Sequence, residues 1–94
     1  MSYYWLSFCD ADRSEGEQFL GACLIEADNI EDAIRKSHRR KCNPGGEIAC
    51  VQIGAEYEKN IGRFKLNHLY SKDELIDMRE YRTLQEAIDS GDVT

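Results

Sequence analysis

The chain predicts a small α+β domain. It has an α/β-like ββαβ core, a small mixed sheet of three or four strands, one main helix on one face and short helices toward the C-terminal end. Three observations carry this reading. The chain opens on an aromatic-rich alternation; Phe19 to Gly54 runs strand, helix, turn, strand; and helix-capping patterns punctuate the final third. At 94 residues the chain has room for one core, so 1–94 is expected as one domain, with the ββαβ unit in 1–55 and a less regular segment with two short helices in 56–94.

Each element has its own signal. In Tyr3 to Asp10, Tyr4, Leu6 and Phe8 alternate with Tyr3, Trp5, Ser7 and Cys9, the pattern of a strand. Ala11 to Glu17 is polar and forms the hairpin loop. Gln18 to Ala27 is the second strand. Phe19, Cys23 and Ile25 are expected on one face and Leu20, Ala22 and Leu24 on the other, so both faces need cover. Gly21 inside it marks a bulge or a close backbone approach.

Asp28 is the expected cap of the main helix, read as 29–42, with Glu31 as its capping-box partner. Ile30, Ala33, Ile34 and Ser37 recur at helical spacing and form the stripe that packs on the sheet. Asn43-Pro44 stops the helix, and Pro44-Gly45 has the chemistry of a type II turn. Glu47 to Gly54 is the third strand, with Ala49, Val51 and Ile53 opposite Ile48 and Cys50. A strand, helix, strand connection this short makes strands two and three parallel in one sheet. Strand one either pairs beside strand two as a hairpin or lies between the two.

Further on, Ser71 to Glu74 is a capping box for a helix carrying Leu75, Ile76 and Met78. Thr83 to Glu86 is a second one, with Leu84, Ala87 and Ile88 as the apolar face and Gly91 as the stop; Glu80 to Arg82 is expected as an extended link. A short strand is expected near Phe64 to Leu66.

Three of these segments bear a resemblance. Trp5 to Asp12 (WxSFCDxD), Gly16 to Gly21 (GxQFLG) and Asn43 to Glu47 (NPGGE) resemble, in this order, a family of short bacterial and phage proteins with no established activity. The match covers about the first 55 residues. It implies one compact α/β fold and brings no chemistry with it. Arg39 to Cys42 departs from the more neutral helix end of that pattern.

Composition narrows the function classes. Hydrophobic residues at 41% and charged residues at 32% suit a folded globular chain. No apolar run reaches the roughly 20 residues of a membrane span. The opening Met1 to Trp5 lacks the basic and apolar regions of a signal peptide, which predicts a cytoplasmic location. Cys9, Cys23, Cys42 and Cys50 show no CxxC spacing and are expected as reduced, mostly buried thiols. His38 and Cys42, four apart on one helix face, could join a strand cysteine at a zinc ion, but that spacing is common, and no metal or cofactor is expected. Asp10, Asp12, Ser14 and Glu17 approach the oxygen spacing of a calcium loop, but the glycine falls one residue late.

The chain contains none of the GxSxG, HExxH, GxxxxGK[ST] or GxGxxG patterns. A thiol dyad of Cys9 or Cys42 with His38 or His68 can be drawn, but four cysteines and two histidines supply such pairs by chance. The expectation is no enzyme.

Charge is the more telling feature. Residues 35–41 hold 5 of the 12 basic side chains and no acid, leaving 7 basic against 18 acidic elsewhere, a net of −11. Cations at a helix carboxyl end offset its dipole. They could also bind an anion or nucleotide phosphate through Arg35, Arg39, Arg40, Asn43 and the amides of Gly45 and Gly46. With pI near 4.8 the molecule repels nucleic acid over most of its surface. The leading expectation is therefore an acidic module acting through protein contacts, one mode being to fill a basic groove on a host enzyme as an inhibitor. Tyr3, Trp5, Tyr57 and Tyr81 are its candidate anchors. The apolar faces of strand two also allow a homodimer.

Overall fold

The computed structural model describes residues 1–54 and 64–90; of residues 80 and 87–90 it describes the helical backbone alone. Its elements are β1 (Ser2–Cys9), β2 (Phe19–Ala27), α1 (Ile30–Arg39), β3 (Glu47–Ile53), α2 (Lys72–Ile76) and α3 (Arg79–Ser90). The sheet order is β2-β1-β3, and β1 pairs antiparallel with both neighbours. Strands β2 and β3 therefore run in the same direction, as predicted, but one strand apart. Of the two places open to β1, it takes the centre. Its side chains explain why: Tyr4, Trp5, Leu6 and Phe8 are all buried, so both faces of this strand need cover.

The sheet divides the core in two. On one face Tyr4, Leu6, Phe8, Cys23 and Ile25 pack under Ala33 of α1 and Cys42. On the other, Trp5, Ala22, Leu24 and Ile53 pack against Phe64, Tyr70, Leu75 and Leu84. The C-terminal helices thus belong to the face that α1 leaves bare.

One expected alternation is inverted. Phe8 pairs with Gly21 and Cys9 with Phe19, so the register slips and Leu20 is skipped. Phe19 consequently joins the Trp5 side and Leu20 the α1 side, the reverse of simple parity. Gly21 sits in the slip with φ +137°, and a Cβ there would lie 2.7 Å from Leu69 Cδ1 and 2.9 Å from the Tyr70 carbonyl oxygen. The glycine signals both a bulge and a close approach.

That close approach comes from residues 64–70, which lie along the outer edge of β2. Ala22 and Tyr70 exchange backbone hydrogen bonds of 3.0 and 2.7 Å, and the Asn67 N–H donates to the Leu24 carbonyl at 3.0 Å. Leu66 forms a single parallel bridge to Leu24, so no strand extends over Phe64 to Leu66. The Tyr70 hydroxyl accepts from the Lys65 N–H at 2.7 Å, tying the segment to itself.

Helix α1 starts one residue later than predicted. Asn29, not Asp28, is the cap: its Oδ1 accepts from the Asp32 N–H at 2.8 Å, while Asp32 Oδ2 accepts from the Asp28 N–H at 3.2 Å. Asp32 thus takes the reciprocal role expected of Glu31. Of the predicted stripe, Ala33 and Ser37 are fully buried, Ile34 is half-buried and Ile30 is exposed.

The helix also ends before the proline. Lys41 adopts φ 60°, its N–H donates to the His38 carbonyl at 3.1 Å, and the Cys42 N–H reaches the Ser37 carbonyl at 3.0 Å. This is a Schellman closure with lysine where glycine is usual. Asn43-Pro44 then begins the turn instead of ending the helix, and Gly45 takes the positive φ (94°) a type II turn asks of it.

The Ser71 capping box forms as predicted, with Glu74 N–H to Ser71 Oγ at 3.2 Å and Ser71 N–H to Glu74 Oε1 at 3.0 Å. The Thr83 box does not form. Helix α3 begins at Arg79, the expected link at 80–82 is helical, and Thr83 Oγ1 donates to the Arg79 carbonyl inside the helix. Packing decides this: Met78, Tyr81 and Leu84 line up at helical spacing against the Trp5 cluster. The expected stop at residue 91 lies outside the described residues.

Candidate functional site

At the basic end of α1, the cations divide into two groups. Arg35 pairs with Asp32 at 3.2 Å, and Lys36 reaches both Asp32, at 3.5 Å, and the Glu26 carbonyl, at 3.1 Å. The Asp28 N–H, with these cations in support, holds the Asp32 carboxyl below the usual carboxylate range. Arg39, Arg40 and Lys41 are exposed beyond that network.

The turn beside them is already occupied with itself. Asn43 Oδ1 accepts from the Gly45 N–H at 2.8 Å, and Asn43 Nδ2 donates to Ser37 Oγ at 2.9 Å. At Gly46 the backbone passes so close to the Cys9 carbonyl that a Cβ would collide with it. The structure thus brings Asn43 and Gly45 together, but as a self-contained turn.

The thiols sit mostly in the core. Cys23 and Cys42 are buried, Cys50 is half-buried and Cys9 exposed. Burial pushes the thiols of Cys23, Cys42 and Cys50 up, away from the reactive thiolate. Cys42 Sγ donates to the Ser37 carbonyl at 3.6 Å, whereas His38 lies against Asn43 and His68 against Glu74. Among the described residues no cysteine contacts a histidine by hydrogen bond, and no group of three metal-binding side chains converges.

In the first loop, Asp10 Oδ1 accepts from the Asp12 N–H at 3.0 Å, and Oδ2 pairs with Arg13 at 3.4 Å. These carboxylate oxygens serve the hairpin itself.

The other face holds a different kind of surface. A groove of about 310 Å³ runs over the half of the sheet nearest β3. Trp5 and Ser7 of β1 and Ala49 and Val51 of β3 form its floor; Tyr81 and Gln85 of α3 form a wall, and Phe19 closes the end. Phe19 and Tyr81 also border a second, mainly apolar hollow, lined by Lys72, Leu75 and Ile76 of α2. Trp5 is flanked by two aromatic rings on the same face of the sheet, 5.0 Å from Phe64 and 6.1 Å from Tyr81 between centroids.

Two of the predicted anchors, Trp5 and Tyr81, therefore meet at one groove, with half-buried Tyr3 packed on the same core. Trp5 is floor, not a projecting anchor, since 3% of it is exposed. Tyr57 lies outside the described residues. Sequence reasoning did not assign Phe19, Ala49, Val51 or Gln85 to a site. The shared parity of Ala49 and Val51 with Ile53 was a usable signal, whereas Phe19 was concealed by the bulge.

No family model, curated protein or solved structure matches this chain. Among the described residues no helix is long and apolar enough to cross a membrane.

Proposed function

We propose that the chain is a non-enzymatic interaction module of bacterial or phage origin, working through protein contacts made at the groove between β3 and α3. The observation that supports this is the coincidence of Trp5, Val51 and Tyr81 in one open, apolar-floored concavity. Rigid aromatic side chains set in a depression are the usual centre of a protein interface. The net charge of −6 favours a basic partner surface, and filling such a surface on an enzyme would inhibit it.

An anion site at the α1 end is the weaker reading. The Gly45 amide is already bonded, and carbonyls point outward at that end of a helix. The test is affinity capture with the wild-type chain and Val51→Lys in parallel. A partner held stoichiometrically by the first and lost by the second is the expected result. A melting-temperature rise with nucleotides that disappears in Arg39→Glu/Arg40→Glu, with no captured partner, would replace this reading by the anion one.

A further inference from the structure

The groove takes Ala49 and Val51 from β3, a strand at the edge of the sheet. Among the described residues no backbone pairs with the outer side of β3, whereas the outer side of β2 is bridged at Ala22 and Leu24. Natural sheets usually protect an edge with proline, lysine or a bulge. Strand β3 reads Glu-Ile-Ala-Cys-Val-Gln-Ile, with neither proline nor lysine, and its register against β1 is unbroken from Tyr3–Ile53 to Cys9–Glu47. Both of its faces are also bordered by hollows. On the α3 side lies the groove, with no charged side chain in its lining. On the α1 side a second hollow is lined by Tyr4, Asn29, Ile30 and Gln52, and Glu31 is the one charged side chain there.

We infer that β3 takes an added strand from the partner, and that the strand it fits alternates apolar and cationic residues. The inference rests on the protein-contact reading and names the partner's local structure. A strand laid along β3 turns successive side chains to opposite faces. One set enters the Val51–Tyr81 groove; the other passes Glu31. A cation suits that second set because Asp28 and Glu31 stand at the start of α1, where two carboxylates outweigh the roughly half positive charge of a helix amino end. The same charge argument disfavours a second copy of this chain: its own β3 carries no cation, and each molecule has a net charge of −6.

The experiment uses the full chain and a fluorescent peptide, Val-Lys-Val-Lys-Val-Lys-Val, followed by anisotropy. It is expected to bind at least about tenfold more tightly than its block isomer, Val-Val-Val-Val-Lys-Lys-Lys. Two further peptides are N-methylated on all valines or on all lysines. Only one of these sets of amides can face β3, so one peptide should keep its affinity and the other lose it. Equal affinity of the two methylated forms, or no preference over the block isomer, overturns strand addition. Glu31→Lys should reverse the preference toward a Val-Glu alternation; an unchanged preference removes the charge pattern. Sedimentation showing a dimer that Val51→Lys dissociates would make a second copy the occupant and overturn the inference. A protein captured by the wild type and lost by Val51→Lys, with no alternating peptide bound, would leave the contact reading standing and the strand-addition one refuted.

Discussion

The two edges of the sheet start from similar material and end differently. β2 and β3 run in the same direction, both pair with β1, and both are rich in small apolar residues. Yet β2 is covered on both faces and bridged along its outer edge by residues 66–70, while among the described residues β3 has no such escort. The difference does not lie in the strands. It lies in where the segment after β3 settles, and Gly21 is what admits it: without a Cβ, Leu69 and the Tyr70 carbonyl can approach the β2 backbone. A closed edge stabilises the fold; an open one leaves hydrogen-bonding groups for another molecule.

Substitution at the glycine should break this contrast most severely. Gly21→Val sets a branched side chain at positive φ and against the Tyr70 backbone, and is expected to destabilise by about 3 kcal/mol or more in urea unfolding. Tyr70→Phe leaves the segment in place but orphans the Lys65 N–H, with an expected loss of about 1–2 kcal/mol in the same measurement. Val51→Lys tests the opposite edge. Half-buried on the open side, it should change stability by about 1 kcal/mol or less while abolishing partner capture. A large loss of stability there would mean that β3 is part of the closed core and would erase the distinction.

Acid offers the gentlest probe. The Ser71 N–H, then His68, hold the Glu74 carboxyl below its ordinary value of 4.5, so this group's contribution is full above that value and fades as pH falls through the lowered one. Glu74 fixes the start of α2 immediately after the segment that closes β2. Between pH 5 and 3, the protection of the Ala22 amide, taken as its exchange rate relative to the intrinsic rate at the same pH, should therefore fall before that of the β1–β3 ladder does. Simultaneous loss of protection would show that the two edges open as one unit.

Much of the fold could be read locally. The Ser71 box, the Pro44-Gly45 turn and the buried Ala33 and Ser37 of α1 depend on neighbours within a few residues, and each appears where the pattern put it. Errors arose where a distant contact decided the outcome. Counting by twos assumed an unbroken pleat, so the slip opposite Phe8 and Cys9 exchanged Phe19 and Leu20 between faces. Thr83 had the right companions for a cap, but the packing of Tyr81 against Trp5 carries the helix back to Arg79. The groove was partly visible for the same reason. Trp5 and Tyr81 could be chosen by residue type, whereas the choice of the β2 edge by residues 66–70 rests on distant contacts at Ala22 and Leu24.

The central place of β1 has a further consequence for how the molecule is made. This strand precedes both of its neighbours in the chain, so during synthesis its hairpin with β2 can close while its second edge still waits for β3. In that interval α1, which also precedes β3 in the chain, can already cover the Phe8 face of the two-stranded ribbon, while the Trp5 face still waits for the residues that follow β3. The strand that completes the sheet last is the same one whose far side no described residue pairs, so the order of assembly and the direction of outward pairing run along a single line, from β2 through β1 to β3.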